Sequence, residues 1–196
     1  MKTTQAKNEN TKTMVMGAIL TALVIVLQFM GAFIRLGPFS ISLVLIPIVI
    51  GAATCGSKIG AWLGFVFGMV VLLSGDAGAF LAVNAPGTVI TVLLKGTMCG
   101  YLAALVYKWL SEYNTYVAVI CAAIVCPVVN TGIFLLGCLV FFMETVESWA
   151  AAANLGGGVA HYMIFGLVGA NFLVELISNI VLSPIVIRLL NIKKKM

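Results

Sequence analysis

Six long apolar stretches, separated by short polar or glycine-containing breaks, dominate the pattern along the chain. They cover residues 13–36, 41–55, 59–74, 88–110, 116–143 and 159–192. Because a helix needs about 20 apolar residues to cross a bilayer, this pattern predicts an all-α integral membrane bundle of six transmembrane helices. The second and third stretches are short, which indicates helices that tilt little or end inside the bundle near a cavity.

The composition agrees with lipid as the main solvent. Hydrophobic residues make up 62% of the chain and charged residues 9%, whereas a soluble domain has about 45–50% apolar and about 25% charged residues. At 196 residues there is room for one bundle. We predict a polar N-terminal tail over 1–12, one transmembrane domain over 13–192 and a basic C-terminal tail over 193–196.

The distribution of positive charge predicts the orientation. If the N-terminus is cytoplasmic, Arg35 is the one cation outside, and nine cations lie inside: Lys2, Lys7, Lys12, Lys58, Lys108, Arg188, Lys193, Lys194 and Lys195. The positive-inside rule then puts both termini in the cytoplasm. The terminal lysines suit an anionic membrane surface and not nucleic acid. The longer segments 75–87 and 144–158 then lie outside, where they can cover a pocket mouth.

Lys95 is the most informative polar residue, because it follows Thr88 by seven positions and lies roughly 10 Å deep if that helix begins at the membrane surface. A buried ammonium needs an anion. One interpretation pairs it with Glu175, the acidic residue inside a predicted helix. The other gives it an anionic or strongly polar group of a solute, and both can hold together.

The last stretch carries polar residues near one helical face: His161, Asn171, Glu175 and Asn179. That face is predicted to point into the bundle. Further polar residues that can line the same space are Gln28, Asn84 and Asn130. Each asparagine can instead bond a neighbouring carbonyl, and His161 can lie on the surface, so these alternatives stay open.

Small residues recur at helix-packing spacings. Gly60, Gly64 and Gly68 repeat every four residues in the third stretch, and Gly96 and Gly100 do so in the fourth. Such rows let helix backbones approach closely, and we interpret them as bundle packing. A second small-residue patch, at Gly17, Ala18 and Ala22 of the first stretch, fits either internal packing or docking of another membrane subunit.

Motifs for catalysis are missing from the sequence. It contains no nucleotide-binding GxxxxGK[ST], no zinc-binding HExxH, no GxSxG nucleophile motif and no paired carboxylates. We therefore expect no enzyme activity, no cofactor and no metal site. A clear inverted repeat with broken helices, common in secondary transporters, is also not found. The chain has features for binding a solute and none for driving its transport.

The chain resembles the substrate-binding S components of energy-coupling factor (ECF) vitamin transporters. The resemblance rests on length, the six stretches, segment 17–22 (GAILTA) and segment 37–52 (GPFSISLVLIPIVIGA), which leads into the glycine-spaced stretch. It implies a bacterial plasma-membrane protein that binds a water-soluble vitamin near the outer face. It also implies a transmembrane coupling subunit that docks at Ala18 and Ala22, and two cytoplasmic ATPases that supply energy.

Among S components, the chain resembles those assigned to pantothenate. The relevant segments are 83–88 (VNAPGT), 95–96 (KG), 126–132 (CPVVNTG) and 171–175 (NFLVE). An anionic vitamin suits Lys95, whereas few aromatic residues near Asn84 argue against a large flavin. Riboflavin, folate and other water-soluble vitamins rank behind pantothenate. The alternatives from other classes are a stand-alone secondary transporter, in which Lys95 and Glu175 relay protons, and a membrane scaffold.

Overall fold

The computed structural model describes residues 2–32, 35–36, 39–40, 43–153 and 157–195. The helices are α1 (Lys2–Ala32), α2 (Leu45–Cys55), α3 (Ser57–Leu73), α4 (Gly78–Val83), α5 (Ala85–Ser111), α6 (Thr115–Phe141), α7 (Met143–Ala153), α8 (Gly158–His161) and α9 (Ala170–Lys195). A π-helical segment (Tyr162–Gly169) joins α8 to α9. Strands β1 (Arg35–Leu36) and β2 (Phe39–Ser40) pair antiparallel. The prediction of an all-α bundle is confirmed.

Four regions are long and apolar enough to cross a membrane: Thr11–Gly31, Ala85–Ser111, Thr115–Phe141 and Gly158–Asn191. Two shorter apolar helices, α2 and α3, complete the set. These six regions correspond to the six apolar stretches of the sequence. With 11 residues, α2 is only about 16 Å long, roughly half of the hydrocarbon thickness.

The short helix α2 lies at the centre of the bundle, in contact with α1, α3, α5, α6 and α9. Its buried residues are Leu45, Pro47, Ile48, Val49, Ile50, Gly51, Ala52, Ala53 and Thr54. A helix that is apolar on all sides is buried either in lipid or in protein. Here neighbouring helices replace the lipid, which explains why α2 is apolar although it is too short to span.

Helices α3 and α5 meet along what we call the glycine seam, in which Gly60, Gly64 and Gly68 of α3 face Gly100, Gly96 and Val92 of α5. A Cβ atom added at Gly60 would lie 2.6 Å from the carbonyl oxygen of Gly100. Cβ atoms at Gly64 and Gly96 would collide with each other's backbone. The interpretation of both glycine rows as helix packing is therefore confirmed.

Some boundaries differ from those predicted. Helix α1 begins at Lys2, so the polar residues 2–12 extend the first helix, and α9 continues through the basic residues to Lys195. The segments 75–87 and 144–158 contain α4 and α7, because apolar side chains such as Phe80 and Val146 are buried against the bundle. Within segment 37–52, on which the resemblance partly rests, residues 37, 38, 41 and 42 lie outside the described residues.

Candidate binding site

A cavity opens at the end of the bundle where α1 and α3 finish and α5 begins. Residues of α1, α3, α4, α5, α6, α9 and the π-helical segment line it. It contains about 790 Å³ of space not filled by protein atoms, including the part open to solvent. The predicted orientation puts this cavity on the outer side of the membrane.

Lys95 extends from α5 into this cavity. Its Nζ lies 5.3 Å from the ring centroid of Phe134 and 5.8 Å from that of Phe67, distances typical of cation–π contacts. Glu175 and Asp76 line the same cavity and interact electrostatically with Lys95. Lys95 and Glu175 border the same cavity. The geometry is therefore compatible with both partners for the ammonium, the carboxylate of Glu175 and a group of a solute.

A hydrogen bond ties α1 to the turn between α3 and α4. Gln28, which is 1% exposed, donates from Nε2 to Oδ2 of Asp76 over 2.6 Å. Both residues line the cavity. Sequence reasoning had placed Asp76 only in an outer segment. The signal in the sequence is an amide deep in an apolar helix together with an acid directly after Gly75. Gly75 has a φ of 81°, which favours glycine at this turn.

Two predicted asparagines reach the cavity from different helices. Asn130 of α6 and Asn171 at the start of α9 both line it. In the part of the chain that the structure describes, no group donates a hydrogen bond to Oδ1 of either. Asn130 is 5% exposed, so its amide is held inside the bundle. Six residues are predicted from the sequence to bind the substrate: Lys95, Asn84, Asn130, Asn171, Glu175 and His161. The structure brings four of them together at this cavity, namely Lys95, Asn130, Asn171 and Glu175.

Phenylalanine rings form much of the cavity wall: Phe67, Phe80, Phe134, Phe142 and Phe172. Phe80 packs edge-to-face with Phe134 and Phe142, at centroid distances of 5.5 and 5.0 Å. Such pairs stabilise by about 0.5–1.5 kcal/mol beyond their area burial. The argument against a large flavin concerned the pocket edge near Asn84, which does not line this cavity; the wall of this cavity is aromatic.

Asn84 lies outside the lining of this cavity. Its side-chain oxygen accepts a hydrogen bond from the backbone N–H of Gly87 at 3.0 Å, which makes Asn84 the N-cap of α5. An N-cap oxygen satisfies a donor that the first helical turn would otherwise leave free. The structure thus explains Asn84 by helix capping, in which its oxygen accepts from a backbone N–H, whereas sequence analysis had left open a bond to a neighbouring carbonyl.

His161 also lies away from the cavity lining, with its ring 4.6 Å from that of Phe165. The prediction had counted α-helical turns from His161 to Asn171. The π-helical segment Tyr162–Gly169 lies between them and has more residues per turn than an α-helix. A face counted at α-helical spacing is therefore not continuous across it.

Residues 12–189 match the family described as "ECF transporter, substrate-specific component". The match spans most of the chain. The protein belongs to this family. Comparison with curated proteins and with solved structures gives no significant match.

As an S component, the protein is a multi-pass membrane protein that binds a transported substrate and works with the other ECF subunits. It is not an enzyme. Family membership favours a binding subunit over the alternatives of a stand-alone transporter or a scaffold, and it does not identify the substrate. The cavity is the natural candidate for the substrate site, since a concave, mostly apolar pocket with a few polar groups is typical of small-molecule binding.

The small-residue patch of α1 is divided between two surfaces of this S component. Gly17 is buried, and a Cβ atom there would lie 3.3 Å from Cδ1 of Ile59 in α3. Ala18 and Ala22 are exposed on the outside of the bundle, next to exposed apolar residues such as Ile19 and Val26. Internal packing therefore accounts for Gly17 and leaves Ala18 and Ala22 available to lipid or to another subunit.

Proposed function

We propose that this S component binds an anionic water-soluble vitamin, with pantothenate as the first choice, in the cavity around Lys95. The observation that carries the proposal is the position of Lys95, whose ammonium lies beside the faces of Phe67 and Phe134 in the cavity. An aromatic face attracts a cation weakly compared with an anion. A ligand carboxylate is therefore the stronger partner for this ammonium.

The cavity also contains two carboxylates, those of Asp76 and Glu175, whose negative charges repel a bound anion. Asp76 already accepts a hydrogen bond from Gln28, so part of its charge is balanced within the wall. Glu175 is 6% exposed and shares the cavity with Lys95. A vitamin carboxylate bound at Lys95 would take over the pairing of the ammonium while the polar end of the molecule lies near the amides.

Pantothenate fits this arrangement because it has a carboxylate at one end and hydroxyl and amide groups towards the other. The amides of Asn130 and Asn171 provide polar partners on helices other than the one that carries Lys95. The phenylalanine wall can pack against the aliphatic part. Riboflavin and folate remain the competitors, and the five rings of the wall make them stronger competitors than the sequence indicated.

Binding is tested by native mass spectrometry of the protein purified from cells, followed by titration with pantothenate, riboflavin and folate. We expect pantothenate to copurify and to bind much more tightly than the other two. Tight binding of riboflavin or folate with no measurable binding of pantothenate would overturn the choice of vitamin.

Transport is proposed to need a transmembrane coupling subunit, which docks at Ala18 and Ala22, and two cytoplasmic ATPases. In liposomes, the S component alone should bind pantothenate without accumulating it, and the complete transporter should accumulate it. Ala22→Leu should abolish uptake by the complete transporter and leave affinity unchanged, because a bulky residue prevents close helix approach. Ala170→Leu, at an exposed alanine of α9, is the control. Concentrative uptake by the isolated chain, or equal loss of binding in Ala22→Leu, would contradict the proposal.

A further inference from the structure

Buried side-chain oxygens without a hydrogen-bond donor are concentrated at the cavity. In the described part of the chain there are five, in Gln28, Thr91, Asn130, Asn171 and Asn179. Four of these residues line the cavity, and the exception is Asn179. Most buried polar atoms in folded proteins have a partner, because an unsatisfied one costs roughly 1–3 kcal/mol. Their concentration at one cavity therefore needs an explanation.

The four residues come from four separate helices, so a local fault in one helix does not explain them. Gln28 is on α1, Thr91 on α5, Asn130 on α6 and Asn171 on α9. Gln28, Thr91 and Asn130 are 1%, 4% and 5% exposed. These polar groups converge on one space from several directions, as in a built ligand site.

Two neighbouring threonines of α5 bond their own helix, Thr88 in the cavity lining and Thr97 outside it. Thr88 donates to the carbonyl oxygen of Asn84 at 2.8 Å, and Thr97 donates to that of Leu93 at 2.7 Å. A helical threonine bonds the carbonyl four residues earlier in this way. Oγ1 of Thr91 makes no such bond in the described structure, although it lies on the same helix between the other two.

We infer that Thr91, Asn130 and Asn171, together with Oε1 of Gln28, form an acceptor set that recognises hydrogen-bond donors of the substrate, namely hydroxyl or amide N–H groups. The inference rests on the proposed function, since it assigns the other end of the same solute. Lys95 receives the anionic end and the acceptor set receives the donor end. A solute whose polar groups only accept hydrogen bonds leaves these oxygens unpaired and is rejected.

The inference is tested with Thr91→Val and Asn130→Leu, which keep the branching and the number of heavy atoms of the side chain and remove the acceptor. The matched control is Thr97→Val, which removes a hydroxyl of the same helix that is already bonded and lies outside the cavity lining. The probes are pantothenate and its analogue with hydrogen in place of the hydroxyl groups. Affinity for both probes and the melting temperature without ligand are measured on each variant.

We expect Thr91→Val and Asn130→Leu each to weaken pantothenate binding by about three- to tenfold. The deoxy analogue should bind weakly to wild type, and each variant should bind it with the same affinity as wild type. Melting temperatures without ligand should stay the same or rise, because the substitution removes a buried oxygen that no protein group satisfies. Thr97→Val should leave the preference for pantothenate over its analogue unchanged.

Failure of this inference is distinct from failure of the proposed function. If the wild-type protein binds riboflavin or folate instead of pantothenate, the proposed choice of vitamin is wrong. The affinities of the variants are then measured for the vitamin that binds. Equal affinity of wild type, Thr91→Val and Asn130→Leu for that vitamin overturns the acceptor set. So does a lower melting temperature without ligand in both variants, since the two oxygens would then be structural.

Discussion

The two sides of α5 are built in opposite ways. On one side, Gly96 and Gly100 lie directly against the backbone of α3, with no space for a single additional carbon atom. On the other side, Thr91 and Lys95 border a cavity in which polar atoms lack protein partners. One helix therefore carries both very close backbone packing and part of the cavity wall with its unsatisfied polar atoms.

This contrast shows how the fold can hold an unsatisfied site without losing its shape. Lys95 is next to Gly96 in the chain, so the glycine seam fixes the height and rotation of the helix that presents Lys95. Close packing is rigid, because interiors resist even small changes in volume. The glycine seam supplies the rigidity. The cavity can therefore contain polar groups whose hydrogen-bond partners are present only when the substrate is bound.

The largest effect is expected at the seam. Gly64→Ala places a methyl group against the backbone of Gly96, and backbone cannot move aside as a flexible side chain can. We expect a loss of more than about 3 kcal/mol in stability, beyond the usual cost of overpacking. Melting temperature and yield of folded protein in detergent measure it.

Gly132→Ala is the control for this change, because Gly132 is also helical and a Cβ atom there meets nothing within 4 Å. It should be neutral or slightly stabilising, since alanine is a better helix former than glycine. Equal melting temperatures for the two variants would mean that the seam is not closely packed.

A smaller effect, on affinity, is expected at Lys95. Lys95→Met removes the cation and keeps most of the side chain, so pantothenate should bind roughly tenfold to a hundredfold more weakly, the worth of a charged hydrogen bond. Pantothenol, in which an alcohol replaces the carboxylate, should be affected much less. Titration of both ligands measures the difference.

The alternative for Lys95 makes it the structural partner of Glu175. In that case Lys95→Met leaves a buried carboxylate without its cation, and the protein without ligand should melt earlier. A lower melting temperature combined with unchanged affinity for pantothenate would show that Lys95 stabilises the bundle and does not bind the ligand.

The packed side of the molecule was largely predictable from the sequence. Apolar length predicts the six membrane regions, and a four-residue glycine repeat has few uses other than close helix approach. The same reasoning identified the second and third stretches as short. These properties depend on one residue type repeated at one period, so they can be recognised without knowledge of the neighbours.

The cavity was predictable only in part, because each of its members depends on partners distant in sequence. Lys95, Asn130, Asn171 and Glu175 were identified as rare polar residues in apolar helices. Asn84, which was predicted to line the same space from the outer segment 75–87, caps a helix instead. The phenylalanine wall was missed since rings in a membrane helix look like any lipid-facing residue. The π-helical segment invalidated the helical count for His161.

A third change tests the polar tie between Gln28 and Asp76 at the cavity. Gln28→Leu removes the donor to the Asp76 carboxylate, which leaves more negative charge near the bound anion and loosens the turn after α3. We expect pantothenate to bind up to about tenfold more weakly, at the low end of what a charged hydrogen bond contributes. Asp76→Asn keeps an acceptor for Gln28 and removes the charge, so it should bind pantothenate as tightly as wild type or more tightly. A loss of the same size in both variants would mean that the charge of Asp76 itself supports binding.

The smallest effect is expected at Asn84, which separates capping from binding. Asn84→Ala removes the oxygen that accepts from Gly87 and should cost about 1 kcal/mol of stability, the usual worth of an N-cap. Asn114→Ala is the matched control, because Asn114 caps α6 in the same way, through the N–H groups of Tyr116 and Val117, and likewise lies outside the cavity lining. Both variants should melt at similarly reduced temperatures and bind pantothenate with the affinity of wild type. If Asn84→Ala alone weakens binding, Asn84 contributes to the site after all, and the boundary between the satisfied and the unsatisfied groups of α5 lies closer to its N-terminus than the geometry indicates.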